Sequence, residues 1–100
     1  MRVISKKMLR EFWEIHADAK EQLQAWHKVV RKAQWRGFDD IRATYGRTVD
    51  RVGGCYVFNI KGKDYRLIAR ISPDWTIVFT CIVLTHAEYN RDAWKETCHC

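Results

Sequence analysis

The residues best equipped for chemistry lie in the second half of the chain. Tyr65-Arg66-Leu67-Ile68-Ala69-Arg70-Ile71 alternates as a strand does, so residues two apart share a face. Tyr65, Leu67, Ala69 and Ile71 then form an apolar face to pack on helices. Arg66 and Arg70 point together to the other face, roughly 13 Å apart at strand rise. On an open sheet face two guanidinium groups can straddle successive phosphates or offset the charge of a developing phosphorane; they can equally be two solvated arginines. Lys61 and Lys63 fall at the tip of the adjoining hairpin, beside these arginines, where an ammonium attracts phosphate without geometric precision or simply keeps a turn soluble. Asn59 lies on the opposite face of its strand from Tyr56, Phe58 and Ile60. Its amide can orient a base or a phosphate there, or satisfy backbone groups at the strand end.

His86 directly follows a strand and falls in the first turn of a closing helix. A helix N-terminus opposes protonation of a nearby imidazole, so this side chain can exchange protons near neutral pH. The same local structure can bind a phosphate. Tyr89, three residues on, shares its helix face and can stack on a base or hydrogen-bond that phosphate. The competing readings are a structural imidazole, and a tyrosine that packs the helix onto the sheet. His16, His27 and His99 are scattered, with no metal-ligand spacing between them. No phosphate-binding glycine loop, zinc motif or nucleophile elbow is present, so neither a metal nor a cofactor is expected.

Four cysteines occur. Cys55 and Cys81 fall inside apolar runs, where a free cysteine behaves as a small hydrophobe. Cys98-His99-Cys100 lacks the second ligand pair of a closed tetrahedral zinc site. With no secretion signal to favour a disulfide framework, the expectation is free thiols and a frayed tail.

These side chains need elements to position them. Residues 2–4 read as a short opening strand. Ser5 reads as the N-cap of a helix with Leu9, Phe12 and Trp13 at helical spacing, broken near His16. Asp18 and Glu21 have the form of a capping box for a second helix, with Ala19, Leu23, Trp26, Val30 and Ala33 on one side and Gly37 as its stop. Asp39 can cap a further short helical turn through Ile41 and Ala43. After Gly46 the pattern becomes extended. Val52-Gly53-Gly54 reads as a turn, residues 56–60 as a strand, Lys61-Gly62-Lys63-Asp64 as a hairpin loop and residues 65–72 as the next strand. Pro73-Asp74-Trp75 turns into a β-rich run over residues 76–84. Thr85 and Glu88 form another capping box, opening a final helix from Ala87 to about Trp94. The order predicts one α+β domain over residues 1–100, an N-terminal helical hairpin packed on an antiparallel sheet with a short C-terminal helix. Most tryptophans fall on helical core stripes; Trp35 and Trp75 lie at turns, where they can stack on RNA or close the ends of the core.

At 100 residues, with 47% hydrophobic side chains, the chain can bury one core, which excludes overall disorder. No apolar run approaches the ~20 residues of a membrane span, and the first residues lack the apolar core of a secretory signal. A cytoplasmic protein without membrane contact is expected. Lys and Arg number 18 against 12 Asp and Glu, a net charge of +6, which suits a polyanionic partner such as nucleic acid or an acidic protein surface.

The segments Asp50-Arg51-Val52-Gly53-Gly54, Val57-Phe58-Asn59-Ile60, Tyr65-Arg66-Leu67-Ile68-Ala69 and Leu84-Thr85-His86-Ala87-Glu88-Tyr89 together resemble the HigB family, a branch of the RelE-like toxins of bacterial toxin–antitoxin modules. Length, the helical hairpin with Lys32-Ala33-Gln34-Trp35 and the trailing Trp94-Lys95 fit as well. The resemblance implies the RelE-like fold and a ribosome-associated mRNA endonuclease that stops translation. It also implies a HigA-type helix-turn-helix antitoxin, through which DNA would be reached only indirectly. Family chemistry is metal-free: a 2′-hydroxyl attacks the adjacent phosphate to leave a cyclic phosphate end. By motif the resemblance assigns His86 and Tyr89, Arg66 and Asn59 to the site. His86 would move protons, and Arg66 with Arg70 would stabilise the phosphorane. The chain departs from the family where many relatives carry a basic residue and it has Cys81, and where Asn90 replaces a common Asp. A catalytically weak homologue that only binds RNA or an antitoxin is the alternative.

Overall fold

Apolar spacing switches from helical to alternating near Gly46, and the structure changes with it. A computed structural model, which describes residues 1–100, begins with strand β1 (Arg2–Ile4) and helices α1 (Lys6–Ile15) and α2 (Lys20–Lys32), joined by a 3-10 turn at Ala17–Ala19. Helix α3 (Phe38–Tyr45) leads into strands β2 (Val49–Val52), β3 (Cys55–Ile60), β4 (Tyr65–Ile71) and β5 (Ile77–Thr85), followed by helices α4 (His86–Asn90) and α5 (Trp94–Thr97). The strands form one sheet in the order β1-β5-β4-β3-β2. The α+β order is the expected one. Strands β2 to β5 are successive antiparallel neighbours, but β1 lies parallel to β5, pairing Arg2 with Ile77. The chain leaves β1 through helices instead of a hairpin, which frees the edge strand to run either way.

Strand β4 faces as its alternation dictates. Tyr65, Leu67 and Ala69 join a buried cluster with Leu9, Leu23, Trp26, Val30 and Ile41 from the three N-terminal helices. Trp35 belongs to the same cluster and Trp75 packs against it, so both close the core. Ile68 points the other way, into a second cluster with Cys55, Val57, Leu84, Trp94 and Cys98. That second face was expected to be open. The C-terminal segment covers it instead, because Trp94 and Cys98 supply an apolar surface that the strand residues need. Opposite Ile68 and Ala69 the ladder skips Cys81, so β5 carries one extra residue there.

Several local expectations are corrected by long-range contacts. Asp18 does not cap α2, whose N-cap is Ala19; its carboxylate accepts from Tyr65 Oη at 2.6 Å and Lys61 Nζ at 2.8 Å. Ser5 occupies the N-cap of α1 without a side-chain bond; its backbone N–H and carbonyl are both bonded to the Thr80 hydroxyl. Helix α2 ends at Lys32, and Gly37 is the N-cap of α3. Strand β2 is additional: Asp50 and Arg51 are exposed on this sheet-edge strand, so it lacks a strong apolar signal. The closing helix is two helices, broken where Asp92 takes φ 60°. The thiols are not free. Cys55 pairs with Cys100 and Cys81 with Cys98, so the tail is docked and not frayed.

Candidate functional site

At one end of the sheet the β3–β4 hairpin tip, the end of β5 and the turn between α1 and α2 come together. His86 opens α4 there and is exposed. Its position is fixed by local chemistry. Thr85 Oγ1 accepts from the Glu88 N–H at 3.3 Å, and a Glu88 carboxylate oxygen accepts from the Thr85 N–H at 3.0 Å, completing the expected capping box. The His86 N–H donates to the Asp64 carbonyl at 3.0 Å, which ties the helix start to the hairpin tip. The backbone N–H of Thr85, and then its hydroxyl, hold the Glu88 carboxyl below the usual carboxylate range; the charge of His16 acts in the same direction.

Arg66 and Arg70 share the second face, as alternation predicted, and both are tied to backbone carbonyls. Arg66 is only 8% exposed. Its Nη1 donates to the Lys63 carbonyl at 2.6 Å and to the Tyr65 carbonyl at 3.4 Å, and its guanidinium lies 5.0 Å from the Tyr89 ring centroid. Tyr89 also stacks on Trp94 at 5.1 Å, so the ring packs α4 onto the sheet and is not a free platform for a base. Arg70 is exposed, but its Nη1 donates to the carbonyls of Cys98 at 3.2 Å and His99 at 3.1 Å. Unpaired carbonyls at the end of the chain capture a donor that the sequence left pointing at solvent.

Asn59 stands directly opposite Arg66 on β3 and is half-buried. Lys61 turns away from the arginines toward Asp18, and this pairing raises the Lys61 pKa and lowers that of Asp18. The bond to Asp18 also pushes the Tyr65 phenol up to about 12. Lys63 is exposed with no ion pair, close in sequence to the Asp64 carbonyl that receives His86. Of the proposed residues, His86, Tyr89, Arg66, Asn59, Lys61 and Lys63 gather at this end, with Lys61 bound to Asp18; Arg70 is held by the tail.

His16 was missed. Its ring stacks on Phe12 at 4.4 Å and lies 5.5 Å from Tyr65, on the side of the site toward Glu88. Only the tertiary meeting of the α1–α2 turn with β4 places it, and no local spacing announces that. No group of three or more His, Cys, Asp or Glu side chains is arranged to hold a metal ion. A second basic feature lies along the helices: a groove of about 430 Å³ lined by Lys6, Gln24, His27, Lys28, Arg31 and Lys32. None of its lysines or arginines makes an ion pair. Burial, then Lys6 and Arg31, lower the His27 pKa. No helix is long and apolar enough to cross a membrane.

No curated protein sequence matches the chain. A family model described as HigB toxin, the RelE-like toxic component of a toxin–antitoxin system, matches residues 19–92, which run from the end of the 3-10 turn through α4 and include most of the assembled site. A toxin of this kind has an antitoxin as partner. The chain belongs to the HigB toxin family.

Proposed function

We propose that this toxin is a single-domain, cytoplasmic endoribonuclease that needs no metal and cuts translated mRNA, on the ribosome, to stop growth. The observation that carries the reading is an exposed imidazole, His86, fixed at a capped helix start and bonded through its backbone to a hairpin tip bearing an unpaired lysine. In the reaction the RNA 2′-hydroxyl attacks the adjacent phosphorus and loses its proton as the bond to the 5′-oxygen breaks. The products are a 2′,3′-cyclic phosphate and a 5′-hydroxyl. His86 moves a proton in this exchange, and Lys63 offsets the phosphorane charge. Arg66 and Tyr89 are positioning residues, holding α4 and the hairpin tip, with Asn59 beside them. The basic groove on α1 and α2 offers the sequence-independent phosphate contacts that a long RNA partner needs. A HigA-type helix-turn-helix antitoxin would silence the protein and be its only link to DNA.

The test is expression of the chain without its antitoxin, followed by primer extension on translated messages. Cleavage within reading frames is expected. His86→Gln should lower cleavage at least about a hundredfold, the range of general acid–base catalysis, with melting temperature unchanged. Undiminished cleavage by that variant removes His86 from the mechanism. A second reading, a toxin homologue that binds without cutting, is favoured by one observation: Arg70 is held by the Cys98 and His99 carbonyls of the tail. Growth arrest with no cleavage sites in any message would select it.

A further inference from the structure

The C-terminal segment closes the sheet face on which a basic strand was expected to lie open. Trp94 and Cys98 are buried against Val57, Ile68 and Leu84. Cys100 is linked to Cys55 on β3 and Cys98 to Cys81 on β5, strands separated in the sheet by β4. The tail therefore spans three strands and is covalently fixed on both sides. Its Cys98 and His99 carbonyls take the donors of Arg70, and the Gly54 N–H donates to the Cys100 oxygen at 3.3 Å. Gly53, at φ 57°, makes room for that oxygen, since a Cβ there would overlap it. Residues 93–100 lie beyond the segment the family model matches, while their anchors Cys55, Cys81 and Arg70 lie within it.

The cystines have matching architecture. Cys55 and Cys98 are buried at 0% and 2% exposure. Their partners, Cys100 and Cys81, are half-buried. Each crosslink therefore joins a buried cysteine to a half-buried one, which makes attack at the half-buried residue the more open route. Opposite Arg70 in the ladder stands Phe79, 41% exposed. Freed of the tail, this patch would present a guanidinium beside an aromatic ring, the pair that grips a phosphate and stacks a base.

We infer that residues 94–100 are a strap over an RNA-contacting sheet face, and that the two cystines are a modification site at which a dithiol reductant opens it. A thiolate of the dithiol attacks Cys100 Sγ, the S–S bond breaks, and Cys55 leaves as a thiolate and takes a proton. The second thiol of the reductant then closes its own disulfide and releases the Cys100 thiol. A second equivalent opens Cys81–Cys98 in the same way. The oxidised chain is the latched form and the reduced chain, the form that cytosolic reductants favour, is the competent one. The regulatory consequence rests on the ribonuclease reading above.

The test compares the full chain after oxidation with oxidised glutathione and after dithiothreitol. Maleimide labelling should count no free thiol in the first and four in the second. Trypsin should cut after Lys95 at least tenfold faster in the reduced chain. A short single-stranded RNA should bind, and be cleaved, at least tenfold better by the reduced chain in filter-binding and cleavage assays. Cys98→Ala/Cys100→Ala should behave as reduced in both conditions; wild type under reductant gives the same comparison should that variant fold poorly. Equal trypsin rates in the two redox states, free thiols after oxidation, or tail release without a gain in RNA affinity each overturn the strap. Absence of RNA cleavage in either state, with affinity still rising on reduction, overturns the ribonuclease reading alone.

Discussion

On its helical side the sheet meets α1, α2 and α3 through a cluster of 16 buried residues; on its other side a cluster of six lies under a few C-terminal residues and two crosslinks. The first closure is built from side-chain volume at helical and strand periodicities, and it forms in any redox state. The second is the smaller cluster, and the two crosslinks add to it by restricting the unfolded chain. One face is therefore a fixed foundation and the other is conditional. Adjacent residues of β4 sample both: Leu67 is fully buried on the helical side, Ile68 fully buried on the tail side.

That adjacency gives the prediction with the largest effect. Leu67→Ala should cost about 3–5 kcal/mol, the upper part of the range for a core leucine, because three helices cannot collapse onto the void. For a domain of this size each 1 kcal/mol moves the melting temperature by roughly 4–8 °C. The loss should be the same with and without dithiothreitol. Ile68→Ala should cost about 2–4 kcal/mol in the oxidised chain and clearly less after reduction, since a released tail no longer buries the side chain. Calorimetry on the two variants in both redox states checks this. Equal losses for Ile68→Ala in both states would make the tail as permanent as the helices.

The two faces also differ in how far they could be read from sequence. The helical face was legible because Leu9, Leu23, Trp26 and Val30 sit at helical spacing and Tyr65, Leu67 and Ala69 at strand spacing, and each pattern states which side must be buried. The direction of Arg66 and Arg70 followed from the same alternation. What covered them did not, because Trp94, Cys98 and Cys100 carry no period in a segment so short, and the cysteine partners are 17 and 45 residues distant. Disulfide connectivity is a property of the folded surface and is not contained in spacing. The candidate site divides likewise. Thr85, His86 and Glu88 were legible because a capping box is local. Asp18 was read as a cap for the same reason, and incorrectly, because Lys61 and Tyr65 reach it from 43 and 47 residues away.

An intermediate effect is expected where the conditional face meets the site. Arg66→Lys keeps the charge but loses the planar group that bonds the Lys63 and Tyr65 carbonyls and packs on Tyr89. It should destabilise by about 1–2 kcal/mol, the cost of buried acceptors left without a donor. Cleavage should fall about tenfold through a lower maximal rate with unchanged RNA affinity, because α4 and the hairpin tip lose their alignment. If affinity falls instead and the maximal rate holds, Arg66 touches RNA directly and is not a positioning residue.

The smallest effect belongs to the joint that holds His86 in place. Thr85→Ala removes the hydroxyl that accepts from the Glu88 N–H and should cost about 1 kcal/mol, as for other helix caps. The Glu88 carboxyl would keep its bond from the Thr85 backbone N–H and so remain below its ordinary value near 4.5, though less so. A carboxyl whose folded pKa is depressed adds stability above its unfolded value and loses it as pH falls through the folded one. Stability of the native chain should therefore decline below about pH 4.5, with Asp18, held low by Lys61 and then Tyr65, contributing to the same decline. Thr85→Ala should shrink only the Glu88 share of that slope and Asp18→Asn only the Asp18 share, leaving that of Asp74, held low by Thr76 and then Ser72. Denaturant titrations from pH 7 to pH 3 separate them. An acid slope that vanishes altogether in Thr85→Ala would mean that the Asp18 contact with β4 contributes nothing to the helical face, and the division between fixed and conditional faces would have to be redrawn.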